Sequence, residues 1–324
     1  MTKPYIYCIY KYIQYMYGLM CVRLLVEGMD RRMIEVENLT KELGRFSLKG
    51  ITFSLPRGYI CGLLGENGAG KSTLIKTMAG IYRMDDGSCR IDGQDIDKQE
   101  AGAKDCLGIV LDEPLFENRL TPMKISRLYG LAYSKFEPQT YLDYLHRFGI
   151  NPNQKVGRMS KGMRIKLQLA FALSHQARVF LMDEPTGSMD KEFRSEFWEI
   201  CAKLIEDEDK SILISSHLTG DLDRKADYIA YMQDGELLFF KTIEELRDTF
   251  TLVKAENYKL KLIPADRVVY YEAGEYGGTA LVTKGDRLKK EKGYELMKPD
   301  LRQLMYFLSK GGKEHAKNIV QKYL

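Results

Sequence analysis

The chain has 324 residues, enough for one large domain or two, each with a buried core, and this length excludes small disulfide-stapled peptides. Hydrophobic residues make up 44% and charged residues 29%, as in ordinary folded proteins, so neither disorder nor a polytopic membrane protein is favoured. Lys and Arg number 49 against 45 Asp and Glu, and this near balance does not indicate a nucleic-acid partner, which we do not expect.

The cysteines are scattered, with no pair or Cys/His cluster at the spacing of a zinc site. They are Cys8, Cys21, Cys61, Cys89, Cys106 and Cys201. We therefore expect reduced thiols, as in a cytosolic protein.

Residues 1–32 differ from the rest because Tyr, Ile and Met crowd together. Lys11, Gln14 and Arg23 interrupt the apolar run, which disfavours a membrane span, and no signal-peptide cleavage site is clear. Three interpretations stay open: a loosely ordered N-terminal extension, an upstream start ahead of a true beginning at Met29 or Met33, and an amphipathic helix at a membrane surface. We assign no function to this segment.

From Met33 onward, strand-like and helix-like stretches alternate, which predicts an α/β fold with a largely parallel central sheet. Residues 33–39 and 46–55 alternate apolar and polar side chains, as strands of a half-buried antiparallel sheet do. Short apolar runs predict strands covered on both faces at residues 59–64, 107–111, 179–182 and 212–215. The interval 121–173 has a mostly helical pattern and predicts an inserted helical subdomain.

The last part of the chain predicts a small α+β extension. Short strands are expected at 258–263, 267–271 and 278–283, and a helix is expected to begin after Asp300 as its cap. The basic stretch 284–292 is read as a solvated loop. The predicted organisation is an N-terminal extension at 1–32, a main α/β domain at 33–248 and an accessory extension at 249–324.

The strongest chemical signal follows the predicted strand at 59–64 and precedes a predicted helix. It fits the phosphate-loop pattern G-x-x-x-x-G-K-[ST] with Gly65, Glu66, Asn67, Gly68, Ala69, Gly70, Lys71, Ser72 and Thr73. Glycines let backbone N–H groups curl around phosphate oxygens. Lys71 is expected to meet the β- and γ-phosphates of a nucleoside triphosphate, and the Ser72 hydroxyl is expected to bind Mg²⁺.

Carboxylates end the predicted strand at 179–182. Asp183 is placed to reach the Mg²⁺ shell and Glu184 to lie beside an attacking water, so hydrolysis is the expected reaction. The next buried strand ends near His217, which is a candidate to contact the γ-phosphate or orient the water. Ser160 stands where the N-cap of a long helix is predicted, and its hydroxyl either serves that helix alone or also holds a phosphate.

These motifs, in this order, resemble those of the ATP-binding cassette (ABC) family from Met33 to about Arg247. The loop at 66–73 is similar to the family's Walker A loop, 183–186 to its Walker B motif, 187–190 to its D-loop, and His217 to its switch histidine. Residues 160–163 (SKGM) resemble the signature motif of exporter-type ATPases. The resemblance implies nucleotide contacts for Ser160, Gly162 and Asp190. It also implies a homodimer packed head to tail, each ATP lying between one Walker A loop and the opposite signature.

The resemblance has three departures. Asp112 occupies the position of the Q-loop glutamine and keeps an oxygen ligand for Mg²⁺, although a shorter and charged one. Leu43 aligns with the aromatic residue that stacks on adenine, so either Phe46 takes over that role or stacking is weaker. Lys161 and Met163 replace a glycine and a glutamine of the consensus signature, and we expect activity to be kept.

The expected function is a cytoplasmic ATPase subunit, bound peripherally to the cell membrane beneath a separately encoded permease, with ATP and Mg²⁺ as cofactors and export as the expected direction. The alternatives are an ATP-dependent regulatory or binding module without transport and a cassette ATPase of DNA repair. The resemblance implies a permease groove after Asp112, in which we expect Phe116 to be exposed and Leu120 to belong to the core.

Overall fold

The structure, a computed structural model, describes residues 32–98, 100–206, 208–217, 219–283, 285, 288 and 293–324. The predicted N-terminal extension, apart from Arg32, and most of the basic loop at 284–292 lie outside the described residues, as do Cys8 and Cys21. Within those ranges, no helix is both long and apolar enough to cross a membrane. The cysteines that can be described carry free thiols: Cys61, Cys89, Cys106 and Cys201.

The strands of the described residues form three sheets. In chain order they are β1 (Arg32–Leu43), β2 (Phe46–Pro56), β3 (Ile60–Gly65), β4 (Asp86–Ile91), β5 (Gln94–Asp95), β6 (Leu107–Val110), β7 (Val179–Asp183), β8 (Ser211–Ser215), β9 (Tyr228–Gln233), β10 (Glu236–Thr242), β11 (Phe250–Ala255), β12 (Val268–Ala273), β13 (Gly278–Thr283) and β14 (Glu295–Met297).

The α-helices of the same residues connect or cover these sheets. They are α1 (Lys71–Met78), α2 (Glu100–Asp105), α3 (Pro122–Tyr129), α4 (Pro138–Arg147), α5 (Lys161–Leu173), α6 (Lys191–Glu206), α7 (Thr219–Lys225), α8 (Ile243–Thr249), α9 (Asn257–Leu260), α10 (Leu301–Lys310) and α11 (Lys313–Tyr323). Short 3₁₀ turns occur at Gly130–Ala132, Val156–Arg158, Pro185–Ser188 and Ala265–Arg267.

The central sheet has the strand order β10-β9-β3-β8-β7-β6 and is parallel except for the hairpin of β9 and β10. Every residue of β7 and β8 is buried, as expected for strands covered on both faces. The prediction of a largely parallel α/β sheet is therefore confirmed. This order places the carboxyl ends of β3, β7 and β8 side by side, where a ligand crevice forms.

A second sheet, ordered β2-β1-β4-β5, packs its buried side chains into the same core as β3 and α1. β1 and β4 pair antiparallel, with Val36 opposite Cys89. The strands predicted from the alternation of apolar and polar residues at 33–39 and 46–55 are therefore confirmed. The turn between β1 and β2 lies beside the phosphate loop, because Leu43 and Phe46 line a cavity together with it.

The helical subdomain of α3, α4 and α5 is built around Phe171. Its ring lies within 6 Å of several aromatic rings, with centroid distances from 5.1 to 5.9 Å, namely those of Phe116, Tyr133, Phe136, Tyr141 and His175. The prediction that Phe116 is exposed was wrong. Only 4% of it is accessible, because its ring packs edge-on against both Tyr129 and Phe171. Leu120 is half-buried and packs against this core.

The C-terminal residues form the third sheet, ordered β12-β13-β11-β14 and antiparallel, with α10 and α11 beside it. The helix expected after Asp300 is confirmed, since Gln303 N–H donates to the Asp300 carboxylate at 2.7 Å. The strand expected at 258–263 was wrong, because this segment contains α9. Leu260 and Ile263, three residues apart, are buried, whereas Tyr258 and Leu262 are exposed, and this is a helical spacing.

Candidate nucleotide-binding site

The phosphate loop joins the end of β3 to the start of α1. The Lys71 ammonium donates to the carbonyl oxygens of Gly65 at 2.8 Å and Glu66 at 3.1 Å. Ala69 N–H closes a turn on Glu66 O at 3.1 Å, and Ala69 O accepts from Gly235 N–H at 3.0 Å. The loop is thus held in a curved shape by its own lysine and by the β9–β10 turn.

Gly70 must be glycine for two reasons. Its φ of 106° lies in a region that residues with a Cβ rarely adopt. A Cβ here would also lie 2.7 Å from the Phe46 ring and 2.9 Å from the Leu48 side chain. The backbone therefore passes close beneath the β1–β2 turn immediately before α1, whose N-terminal N–H groups favour an anion.

A cavity of about 470 Å³ lies over this loop. Its lining combines residues of the phosphate loop, the β1–β2 turn and the end of β7, namely Leu43, Phe46, Asn67, Gly68, Gly70, Lys71, Ser72, Thr73 and Glu184. The structure thus brings Glu184 to the phosphate loop from more than a hundred residues away in the sequence. Both residues considered for the adenine, Leu43 and Phe46, face this cavity.

Asp183 is buried at the end of β7, and its carboxylate accepts a hydrogen bond from the Ser215 hydroxyl at 2.6 Å. Burial lowers the pKa of Lys71 below its ordinary value, while the negative charges of Glu184 and Asp183 oppose this shift. The Lys71 ammonium and the two carboxylates are therefore close enough to interact electrostatically. A buried cation facing carboxylates is an arrangement suited to phosphate and Mg²⁺ chemistry.

Glu184 is held by backbone and side chain. Its N–H donates to the Ser215 hydroxyl at 2.9 Å, and its φ of 47° turns it out of the strand direction. One carboxylate oxygen accepts from His217 N–H at 3.2 Å and lies 2.6 Å from His217 Nδ1. The side chain of Glu184 is 19% exposed and that of His217 is 59% exposed, so the pair lies where a water molecule can reach it.

These residues fit a nucleoside triphosphate with Mg²⁺. Mg²⁺ binds oxygen ligands and usually takes only one or two from the protein, the others coming from phosphates and water. Ser72 on the cavity wall and Asp183 at the end of β7 offer oxygens of this kind. In the described part of the chain, no group of three His, Cys, Asp or Glu side chains forms a metal cage made of protein ligands alone.

The signature residues start α5 as predicted. The Ser160 hydroxyl accepts from Met163 N–H at 3.2 Å, which makes Ser160 the N-cap. A Cβ on Gly162 would lie 2.7 Å from Ser188 O, so this glycine lets α5 approach the turn after β7. Asp190 accepts from Phe193 N–H at 2.8 Å and lies 3.7 Å from Lys166 Nζ. Ser160, Gly162 and Asp190 are not among the residues lining the 470 Å³ cavity.

Asp112 also lies away from that lining and pairs with the signature instead, at 2.5 Å from Lys161 Nζ. The loop it belongs to is fixed by Gln168 of α5, whose amide accepts from Leu111 N–H at 2.7 Å and donates to Leu111 O and Glu113 O, each at 3.1 Å. Sequence reasoning missed Gln168 and Ser215. A buried glutamine on an otherwise apolar helix face was the available signal for the first of these.

The sheet order, the phosphate loop after β3 and the acidic end of β7 define a P-loop nucleoside triphosphatase. The family model described as ABC transporter matches residues 48–187. The chain is 32% identical over 210 residues to the ABC transporter ATP-binding protein NatA of Bacillus subtilis (strain 168), covering 63% of this chain and 85% of NatA. The chain therefore belongs to the ATP-binding proteins of the ABC transporter family.

Two further relatives, also from Bacillus subtilis (strain 168), agree with this assignment. The chain is 26% identical over 262 residues to the ABC transporter ATP-binding protein YtrB, covering 80% of this chain and 89% of YtrB. It is 31% identical over 221 residues to the linearmycin resistance ATP-binding protein LnrL, covering 66% of this chain and 70% of LnrL.

Solved structures agree on the fold. The ATP-binding subunit of an ABC transporter superposes with a TM-score of 0.61 at 23% identity, covering 66% of this chain and 92% of that one. A dimeric ATP-binding cassette, MJ0796, bound to ADP and Pi superposes with a TM-score of 0.58 at 21% identity, covering 65% of this chain and 99% of that one. As a member of this family, the chain is an ATP-binding subunit with the ABC ATPase fold.

Proposed function

We propose that this chain hydrolyses ATP with Mg²⁺ and uses ATP-driven closure of a homodimer to work a separately encoded membrane permease. The observation that carries the proposal is the cavity in which Glu184 faces Lys71 and Ser72. It combines an anion cradle, a cation and a proton acceptor within one space. Mg²⁺, when bound, neutralises phosphate charge, and Ser72 and Asp183 are its proposed ligands, with Asp112 as a further candidate.

Each side chain has a proposed task. Backbone N–H groups of the phosphate loop and the Lys71 ammonium hold the β- and γ-phosphates. Glu184 accepts the proton of the attacking water, and His217, 2.6 Å away, orients that carboxylate and meets the γ-phosphate. Ser215 keeps Asp183 and Glu184 in place, since its hydroxyl donates to the Asp183 carboxylate and accepts from the Glu184 N–H.

The division of the site between two separate groups of residues supports the proposed homodimer. Ser160, Gly162 and Asp190 lie apart from the cavity of their own chain, yet Ser160 caps a long helix whose N-terminus favours an anion. A second copy placed head to tail would bring these residues to the triphosphate. That a related cassette, MJ0796, is dimeric with ADP and Pi supports this arrangement.

The permease and the direction of transport rest on the relatives. YtrB and NatA are ATP-binding proteins of ABC transporters, and the name of LnrL concerns resistance to linearmycin, which supports export. Pairing with a permease would hold the chain peripherally on the cytoplasmic face of the membrane. In this proposal residues 33–248 form the nucleotide-binding domain and residues 249–324 an accessory extension.

The test is Lys71→Ala in the purified full-length chain, with Lys49→Ala as the matched control. Lys49 lies on β2 with a half-exposed side chain and pairs with Glu236 rather than with the loop. ATP binding and phosphate release are measured with and without Mg²⁺. We expect Lys71→Ala to lose both and Lys49→Ala to keep both. Wild-type hydrolysis by Lys71→Ala, or undiminished hydrolysis without Mg²⁺, would contradict the proposal.

Dimer formation has its own test. Glu184→Gln is expected to bind ATP without turning it over, and therefore to accumulate as a dimer in light scattering when ATP and Mg²⁺ are present. Ser160→Arg in the same background should keep ATP binding but prevent the dimer, because a bulky cation blocks the opposite triphosphate. A dimer that forms equally without ATP would refute closure by nucleotide.

A further inference from the structure

Helix α7 begins two residues after His217 and is packed onto the strand that leads to the phosphate loop. Its Leu222 is fully buried, and a Cβ on Gly62 of β3 would lie 3.0 Å from the Leu222 side chain. The chain leaves α7 through Asp227, which exchanges hydrogen bonds with Ile60, one from each backbone N–H and each 2.9 Å long. Contacts with β3 therefore fix one face of α7 and the residues that follow its C-terminal end.

The C-terminal extension also contacts α7, through Asp223. The Leu301 N–H, at the first residue of α10, donates to Asp223 Oδ1 at 2.9 Å. Arg247 Nη2 lies 3.2 Å from the same oxygen and donates to Asp223 O at 3.0 Å. A carboxylate at a helix N-terminus is stabilising, and α10 packs directly against α7.

The side chain of His217 has little packing of its own, since 59% of it is exposed. Its position therefore depends on its contact with Glu184 and on the backbone at either side. Upstream, β8 is fixed between β3 and β7 in the central sheet. Downstream, α7 is the fixed element, and both its packing against α10 and the Asp223 hydrogen bond join it to the extension.

We propose that Asp223 is a positioning residue through which residues 249–324 set the placement of His217 for ATP hydrolysis. The inference rests on the proposed role of His217. The side chains of Asp223 and Arg247 are 21% and 37% exposed, so water screens this pair less than a fully exposed one. The extension thereby acts on catalysis without touching the nucleotide.

The experiment measures ATP hydrolysis by the full-length chain for Asp223→Ala, His217→Ala and the double variant. Asp266→Ala is the matched control, because it removes an exposed ion pair with Lys322, and both residues of this pair belong to the extension. Asp223→Ala is expected to lower kcat on the order of tenfold with KM for ATP unchanged, less than the 100-fold that a misplacement of about 1 Å can cost. Asp266→Ala is expected to leave kcat unchanged.

The double variant separates positioning from mere structural support. In the His217→Ala background, Asp223→Ala should change kcat by less than about twofold, because the residue it positions is gone. Asp223→Asn keeps an oxygen for the Leu301 N–H and should retain more of kcat than Asp223→Ala. If Asp223→Ala does not fold, Arg247→Gln carries the same comparison, since it leaves the bond to Leu301 in place.

The outcomes distinguish this inference from the function beneath it. An Asp223→Ala variant as active as Asp266→Ala would overturn the inference and leave the proposed function intact. An equal loss with and without His217 would also overturn it, because Asp223 would then act by another route. If His217→Ala hydrolyses ATP at the wild-type rate, the proposed role of His217 fails first.

Discussion

Replacing Glu184 by Gln removes the proton acceptor while keeping the shape of the side chain. The Glu184 N–H bond to the Ser215 hydroxyl belongs to the backbone and survives, and the strain of the left-handed φ is the same for both residues. The hydrogen bond from His217 N–H then has a neutral amide instead of a charged carboxylate as its acceptor, and this change lowers stability by about 1 kcal/mol. The free energy of unfolding should therefore change by no more than about 1 kcal/mol.

The rate should change far more than the stability. A general base contributes about 10²–10⁴ in rate, which is about 2.7–5.5 kcal/mol of the activation barrier. Phosphate release at saturating ATP, ATP binding and chemical denaturation are the three measurements, with Glu192→Gln on the exposed face of α6 as control. Turnover by Glu184→Gln above about a tenth of the wild-type rate would mean that another group accepts the proton.

Three further predictions concern the loop, the pH dependence of stability and the core. Gly70→Ala should weaken ATP binding and cost about 1–3 kcal/mol in unfolding free energy, because its Cβ meets the Phe46 ring; an unchanged affinity would show that the loop has room to spare. Burial raises the pKa of Asp227, although the hydrogen bond from Ile60 N–H lowers it. The charged carboxylate therefore destabilises the fold fully above its pKa in the folded protein, and this destabilisation disappears below its pKa in the unfolded chain. Asp227→Asn should therefore raise Tm at about pH 7 and lose this gain as the pH falls toward about 3, whereas a pH-independent gain would refute the assignment. Phe171→Ala should cost about 3–5 kcal/mol in a denaturant titration, because it empties the centre of the aromatic cluster, and a loss below about 1 kcal/mol would contradict that packing.

Much of the central sheet could be predicted from the sequence because its strands are uniform apolar runs with polar residues directly after them. Residues 107–110 and 179–182 are examples, and the acids Asp183 and Glu184 directly after the second run were expected near the loop after β3. Phe116 was misplaced because burial of one aromatic ring depends on partners brought to it by α3 and α5. Local pattern carries no information about such contacts.

The supporting contacts of the site were beyond prediction for the same reason. Ser215 reaches Asp183 across a strand pair, and Asp223 meets Leu301 from 78 residues away in the sequence. Serine and aspartate at such places look like ordinary polar residues at the ends of strands and helices. Only the three-dimensional arrangement shows what they hold.

Helix α10 is more deeply joined to the rest of the chain than its late position in the sequence suggests. Its buried side chains belong to the same apolar cluster as Leu222 of α7 and Leu246 of α8, and they are Leu301, Leu304, Phe307 and Leu308. Each such side chain stabilises the fold by about 1.5–3 kcal/mol when buried. A chimera that replaces α10 with the C-terminus of a shorter relative would expose the apolar side chains that α10 covers on α7 and α8. Those newly exposed positions would have to be made polar for the chimera to stay monodisperse.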